Sequence, residues 1–314
     1  MKANIQPASK TCSTGYEYSA IEMDDGLMTL VGQSSAWIVH SVFRQTINLI
    51  SDNEDLITIA TRKSSLMPYS LVSSAAYFEH YQDKIHQTAF VSEYEITIGH
   101  DLRFKLNGVI RSSKLPVLKM EIINQRQLLK NIELLQSFFL KSYSVGSFYI
   151  DDLASPYNQV LQLALIERTR TFCEAVKNQN DKTALEAGVL LLGLGTGLTP
   201  SGDDYLVGFF AVLFFCSYRP ETIQQLAHKL AQHARESTNI ISATYIKSAS
   251  EKRFKKEISD LVQSVYQPDK TLIAQSLKQL LEVGSTSGTD ITQGVLDAFF
   301  MLNSGENNNE IQYE

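Results

Sequence analysis

The spacing of hydrophobic residues changes once along the chain, near residue 125. Before that point, Leu27–Val31, Ala36–Val42 and Leu56–Ala60 are short runs rich in apolar and β-branched residues. Tyr94, Ile96 and Ile98 alternate with polar neighbours, as do Leu102, Phe104 and Leu106. Gly99-His100-Asp101 between them predicts a hairpin. Pro68–Gln87 reads as a helix or a covering loop. Together these elements predict a β-rich domain over residues 1–125, a barrel or a sandwich.

After residue 125 the period becomes helical. Ile132, Leu134, Leu135, Phe138 and Phe139 form one stripe. Helices are predicted at Tyr157–Lys177, with Pro156 near the first turn, and at Thr183–Leu192, Asp203–Tyr218, Glu221–Arg235, Asn239–Ser250, Lys255–Tyr266, Lys270–Val283 and Asp290–Leu302. No strand–helix–strand alternation interrupts them. The expected fold class is α+β, with a β-rich N-terminal domain, an α-helical domain over 126–302 and a polar, frayed tail over 303–314.

Composition narrows the function classes. The 314 residues suffice for two domains, and 44% hydrophobic residues can fill their cores. A formal net charge of −6 argues against nucleic acid, whose phosphates are held by clustered Lys and Arg. The one dense basic stretch, Lys252–Lys256, reads as a solvated helix face. MKANIQPASK lacks the apolar core of a secretory signal. The longest apolar run, Leu206–Cys216, is about half of the roughly 20 residues that span a membrane. Cys12, Cys173 and Cys216 form no C-x-x-C pair. A cytoplasmic protein without disulfides is expected.

The chemistry concentrates in GLGTGLTPSGDDYLVGFF, Gly193–Phe210. Gly193, Gly195, Gly197 and Gly202 permit positive φ and a close approach of a ligand to the backbone. Pro200 stops the preceding helix, and Ser201 or Asp203 can cap the next one. That helix start offers N–H groups and the positive end of a dipole to an anion. No lysine adjoins the Ser or Thr, so this is not a Walker loop, and no strand precedes it, so it is not a dinucleotide fingerprint. The alternative is a tight corner between packed helices.

The pattern returns in SGTDITQGVLDAFF, Ser287–Phe300, preceded by Gly284. Ser201, Gly202, Asp204 and Gly208 match Ser287, Gly288, Asp290 and Gly294. In each copy the aspartate and the second glycine share a helix face. Two helical hairpins packed through their glycines would explain this structurally. Functionally, two helix N-termini would converge on one anion, with Gly195, Thr196, Gly197, Thr199, Ser201, Gly202, Ser287 and Gly288 as its binding residues. Asp203, Asp204 and Asp290 would then orient amide N–H groups or a hard metal such as Mg²⁺.

The G-x-G-x-G-L-T-P-S-G-D-D block resembles the signature of a bacterial family long known only as a domain of unknown function. Some of its members are assigned as the H subunit of oxamate carbamoyltransferase in anaerobic allantoin breakdown. STNIIS at Ser237–Ser242, GSTSGTD at Gly284–Asp290 and VHSVFRQTINL at Val39–Leu49 extend the likeness over most of the chain. The resemblance implies phosphorolysis of oxalurate to oxamate and carbamoyl phosphate within a multi-subunit enzyme. No cofactor other than Mg²⁺ is expected. The familiar transcarbamoylases use an S-T-x-T-R loop on a parallel sheet, and this chain has neither. No arginine adjoins the glycine loop, which leaves the cation to Arg44, Arg62 or Lys63 of the β-rich domain, or to a partner subunit.

Of the remaining candidates, Ser237-Thr238-Asn239 reads first as a helix cap, but Asn239 lies within the resembling block and is also assigned to anion binding. His40 and Asn48 read as ordinary surface polarity and Trp37 as core. His228 and His233 are spaced wrongly for zinc on a helix and read as exposed. Three classes stay open: a carbamoyltransferase subunit acting on a small anion, a hydrolase in which the three aspartates hold Mg²⁺ or Mn²⁺, and a non-catalytic scaffold that docks other subunits through its glycine faces.

Overall fold

A computed structural model describes residues 15–34, 36–112, 123–151 and 154–304. They fall into two compact units, 1–114 and 115–314.

The first unit is a closed barrel. Its strands are β1 (Tyr16–Asp24), β2 (Trp37–Val42), β3 (Thr46–Ser51), β4 (Leu56–Ala60), β5 (Ser70–Ser73), β6 (Thr88–Val91), β7 (Glu95–Ile98), β8 (Leu102–Lys105) and β9 (Ile110–Ser112). They run in the order β5-β4-β3-β2-β6-β7-β8-β1-β9, and β5 also pairs with β1, which closes a ring of eight strands. β9 extends the sheet along the later half of β1, beyond the stretch that pairs with β8. Closure removes the free edges of the sheet. Inward-facing residues such as Val39, Ile47, Leu49, Ile57, Ile96 and Phe104 form its core, with Trp37 among them. The hairpin at Gly99 is present, with β7 and β8 antiparallel around it and Gly99 at φ 59°.

Two expectations for this unit change. Leu27–Val31 is a helical turn, not a strand: α1 spans Asp25–Val31 and buries Gly26, Leu27 and Leu30. A five-residue apolar run satisfies either period, and only the i, i+3 pair Leu27–Leu30 records the helix. Pro68–Gln87 contains the fully buried strand β5 and a short 3-10 segment, Glu79–Lys84, in place of one helix or loop. β5 faces core on both sides and shows no alternation.

The second unit is helical throughout its described residues. α2 (Gln125–Phe139) begins where the period changes, and α3 (Pro156–Lys177), α4 (Asp181–Leu191), α5 (Ser201–Phe215), α6 (Pro220–Ser237), α7 (Ile240–Ser250), α8 (Lys256–Val265), α9 (Lys270–Leu281) and α10 (Ser287–Asn303) follow. α5 and α10 form its centre. Every residue of α5 from Ser201 to Leu213 is buried, as is every residue of α10 from Gly288 to Phe299. A helix apolar all round has no solvent face and must be enclosed. Nearly all of the 303–314 tail, the first fourteen residues and Cys12 lie outside the described residues. Among the described residues no helix is long and apolar enough to cross a membrane.

Candidate functional site

The glycines of the repeated motif let α5 and α10 touch backbone to backbone. A methyl group on Gly208 would collide with the carbonyl oxygen of Ile291, and one on Gly294 with that of Tyr205. Ile291 and Tyr205 occupy matching positions in the two copies, so the contact is reciprocal. The first glycines behave alike: a Cβ on Gly202 would strike the Leu191 carbonyl, and one on Gly288 the Leu280 carbonyl, each at the end of the preceding helix. α4–α5 and α9–α10 are therefore two hairpins of one design, packed face to face.

That packing brings the two loops together. Thr199 Oγ1 and Ser287 Oγ are 2.6 Å apart. The aspartates cross over in the same reciprocal sense. Asp204 lies beside the hydroxyls of Ser287 and Thr199, and Asp290 beside those of Ser201 and Thr286. These hydroxyls favour the charged carboxylates, yet Asp204 Oδ2 and both oxygens of Asp290 are buried without a well-formed hydrogen bond. Burial dominates. It pushes Asp204 well above its ordinary range, with the charge of Asp290 adding to the rise, and pushes Asp290 to about 7. The pair therefore holds protons that exposed carboxyls would have lost.

Asp203 is used differently. Its Oδ1 accepts from Gly193 N at 2.9 Å, and its Oδ2 accepts from Thr238 Oγ1 and Ser242 Oγ, each at 2.6 Å. It ties the start of the loop to the end of α6 and the first turn of α7. Burial still raises its pKa, against those three bonds. The capping expectation for Ser201 and Asp203 fails: Pro200 holds the N-cap position without a side-chain cap, and the backbone of Asp203 and Asp204 bonds to the Pro200 carbonyl. Asn239 caps α7, its Oδ1 accepting from Ile241 N and Ser242 N, while its Nδ2 donates to Leu198 O at 2.9 Å. It holds the loop from the far side.

Between these anchors the chain turns outward. Gly193, Gly195 and Gly197 have φ of 72°, 133° and 96°. A side chain on Gly195 would run into Ser201 N, whereas nothing lies within 4 Å of a Cβ on Gly197. Thr196 and Gly197 are exposed. Among the described residues, nothing accepts a hydrogen bond from the backbone N–H groups of Gly195–Thr199 or Ser201. A row of free amides at the start of a buried helix, beside two buried carboxyls with three oxygens short of a well-formed hydrogen bond, can bind a small ligand that carries both an anionic group and N–H donors.

Sequence reasoning missed three parts of this arrangement. The charge of Lys255 acts on Asp204, so the Lys252–Lys256 stretch is not simply a solvated face. Lys255 occupies the N-cap position of α8, with Nζ 4.7 Å from the centre of the Tyr245 ring. Tyr149 was also missed: its hydroxyl donates to Gln293 Oε1 at 2.6 Å, Gln293 Nε2 donates to Asp297 Oδ1 at 2.8 Å, and Tyr205 donates to Asp297 Oδ2 at 3.0 Å. Burial raises the Tyr149 phenol, helped by the charges of Asp297, Tyr143 and Asp290. Thr286, third, sits in GSTSGTD and was legible only as a neighbour of Ser287.

Arg44 belongs to the barrel unit, where it is exposed and pairs with Glu79 at 3.7 Å; Arg62 and Lys63 are exposed there too. Asn48 is buried, not surface polarity: it donates to Ser41 Oγ at 3.0 Å and accepts from Thr58 Oγ1 at 2.8 Å across the strands. His228 and His233 are exposed. Among the described residues no group of three or more His, Cys, Asp or Glu side chains is placed to hold a metal ion.

Two family models match the chain. One, described as the AllH family N-terminal domain, matches residues 19–112, and the other, described as oxamate carbamoyltransferase subunit AllH, matches residues 191–299. The second span contains both loops, α5, most of α10 and Lys255. No solved structure matches the chain.

Proposed function

The chain belongs to the AllH family, and from that premise we propose that it is a subunit of a carbamoyltransferase whose small anionic substrate binds where the two glycine loops meet. The observation that carries the reading is the pair Asp204 and Asp290, both buried, with three oxygens lacking good partners beside a row of undirected amides. A buried polar group without a partner costs about 1–3 kcal/mol. A ligand with an NH₂ group and an oxyanion would satisfy carboxyls and amides together.

The reaction proposed is attack of a phosphate oxygen on the carbamoyl carbon of oxalurate. The C–N bond breaks, carbamoyl phosphate forms, and oxamate leaves once its nitrogen has gained a proton. Asp290, poised at about 7, takes the phosphate proton and passes it to that nitrogen, as a group with a pKa near the working pH can do in both directions. Asp204 accepts from the carbamoyl NH₂. The loop amides meet the charge that grows on the carbonyl oxygen. Asp203 and Asn239 position the loop without touching substrate. The word "subunit" in the family's name supports action within a hetero-oligomer. A place in allantoin and purine breakdown, in the cytoplasm, belongs to the same proposal. The metal-hydrolase reading is weaker, because both oxygens of Asp203 are engaged by the protein itself.

The test is Asp290→Asn in the assembled enzyme. General acid–base roles are worth about 10²–10⁴-fold, so kcat for oxalurate phosphorolysis should drop by that order with the complex intact. Undiminished turnover would leave the two motifs as helix packing alone.

A further inference from the structure

Lys255 is placed where a lysine brings no obvious benefit to the fold. It stands at the N-terminus of α8, the end of a helix that repels cations. It is partly buried, and among the described residues no carboxylate comes within ion-pair distance of it. Its contact is Tyr245, whose ring face lies 4.7 Å from the ammonium and whose hydroxyl bonds to it. Burial works to lower its pKa, but Tyr245, Asp204 and Glu257 outweigh burial and the net shift is upward. The charge is thus kept, without a direct ion pair among the described residues.

Asp204 gives the direction. It is 5% exposed, has an oxygen without a partner, and sits beside Thr199 and Ser287, where the two loops touch. α7 links this cation to the loop: Asn239 Nδ2 donates to Leu198 O, Ser242 Oγ donates to Asp203 Oδ2, and Tyr245, one turn further along, is the ring on which Lys255 lies. The site then contains N–H donors, a fixed positive charge and two acceptor carboxyls, which complement an oxyanion carrying an NH₂ group.

We propose that Lys255 is the cation that holds the oxyanion of the substrate against the amides of the glycine loop, with Tyr245 keeping its ammonium in place. The proposal rests on the functional reading above and identifies the charge which that reading lacked. The oxyanion is the phosphate of one reactant or the carboxylate of the other, and a lysine, as a point charge, serves either.

The experiment uses the assembled enzyme and titrates inorganic phosphate and oxamate separately, by calorimetry and as variable ligands in steady-state kinetics. Lys255→Met should weaken one of the two at least tenfold and raise the corresponding KM, with the melting temperature nearly unchanged. Lys255→Arg should restore most of the loss. Tyr245→Phe should weaken the same ligand several-fold, and it decides the matter if Lys255→Met fails to fold. The affected ligand identifies the group bound. Undiminished affinity for both anions in Lys255→Met, or in Tyr245→Phe where Met does not fold, overturns the proposal. If the wild-type enzyme binds neither anion, the functional reading itself fails.

Discussion

Asp203 and Asp204 are adjacent, both acidic and both buried, yet they play unlike parts. Asp203 accepts three hydrogen bonds from protein groups, and Asp204 lies open toward the other loop. Asp290 resembles Asp204, and its pKa of about 7 has a thermodynamic consequence. The folded acid sits above its ordinary value of 3.8, so folding takes up a proton at intermediate pH, and stability falls as pH rises from that value to about 7. At 1.36 kcal/mol per unit the full penalty is about 4 kcal/mol at pH 8 and about 2 kcal/mol at pH 5. Asp290→Asn should therefore melt higher than wild type at pH 8, with the gain shrinking at pH 5. Asp203→Ala should melt lower at both, since it strands the hydroxyls of Thr238 and Ser242. Thermal melts at the two pH values check this, and a destabilised Asp290→Asn at pH 8 would mean that the carboxylate has partners. The repeat in the sequence exposed Asp204 and Asp290 as counterparts and left Asp203 opposite Thr289, but nothing in it showed what Asp203 bonds to. That distinction depends on Thr238 and Ser242, which only the fold places beside it. Lys255 was illegible for a related reason: a charge in a basic run looks solvated until Tyr245 is seen to cover it.

The eight helices expected between residues 157 and 302 all occur, with ends shifted by no more than about three residues, an ordinary fraying margin. Their apolar stripes are long enough to fix a period. The barrel strands are short, and β1, β3, β6 and β9 were not marked out by alternation, since closure buries residues on strands whose outward positions are also apolar, as at Ile21, Phe90 and Ile110. The α5–α10 contact supplies the prediction at this level. Gly208→Ala and Gly294→Ala each push a methyl into a backbone carbonyl of the facing helix, and overpacking of this kind costs about 1–3 kcal/mol. Because the contacts are reciprocal, the two losses should be similar. Gly197→Ala has open space and only its positive φ to contend with, so it should cost about 1 kcal/mol. Denaturant unfolding of the three variants tests the order, and a Gly197→Ala loss as large as the helix variants' would contradict it.

The buried clusters of the barrel and of the helical unit share no residue. Each has the means to fold without the other, and residues 1–114 expressed alone should melt cooperatively with a strand-rich circular dichroism spectrum. A product that binds hydrophobic dye and melts without a transition would show that the barrel needs its neighbour. Within the helical unit, the reciprocity of Gly208 with Gly294 has a consequence for direction. Contacts that swap in this way are those of a two-fold axis, as between identical subunits. Such an axis would present the same groups to a ligand whichever way round it lay, and a substrate with unlike ends would have no preferred orientation. The positions where the copies differ must therefore decide which end goes where. Asp203 faces Thr289 across the match, and Val207 and Ala211 stand where the other copy has Gln293 and Asp297. The polar chain through Tyr149 thus takes both its acceptors, Gln293 and Asp297, from α10, while α5 contributes only the Tyr205 hydroxyl. On the proposed function, the mismatches in the repeat, rather than its identities, set which end of the substrate lies where.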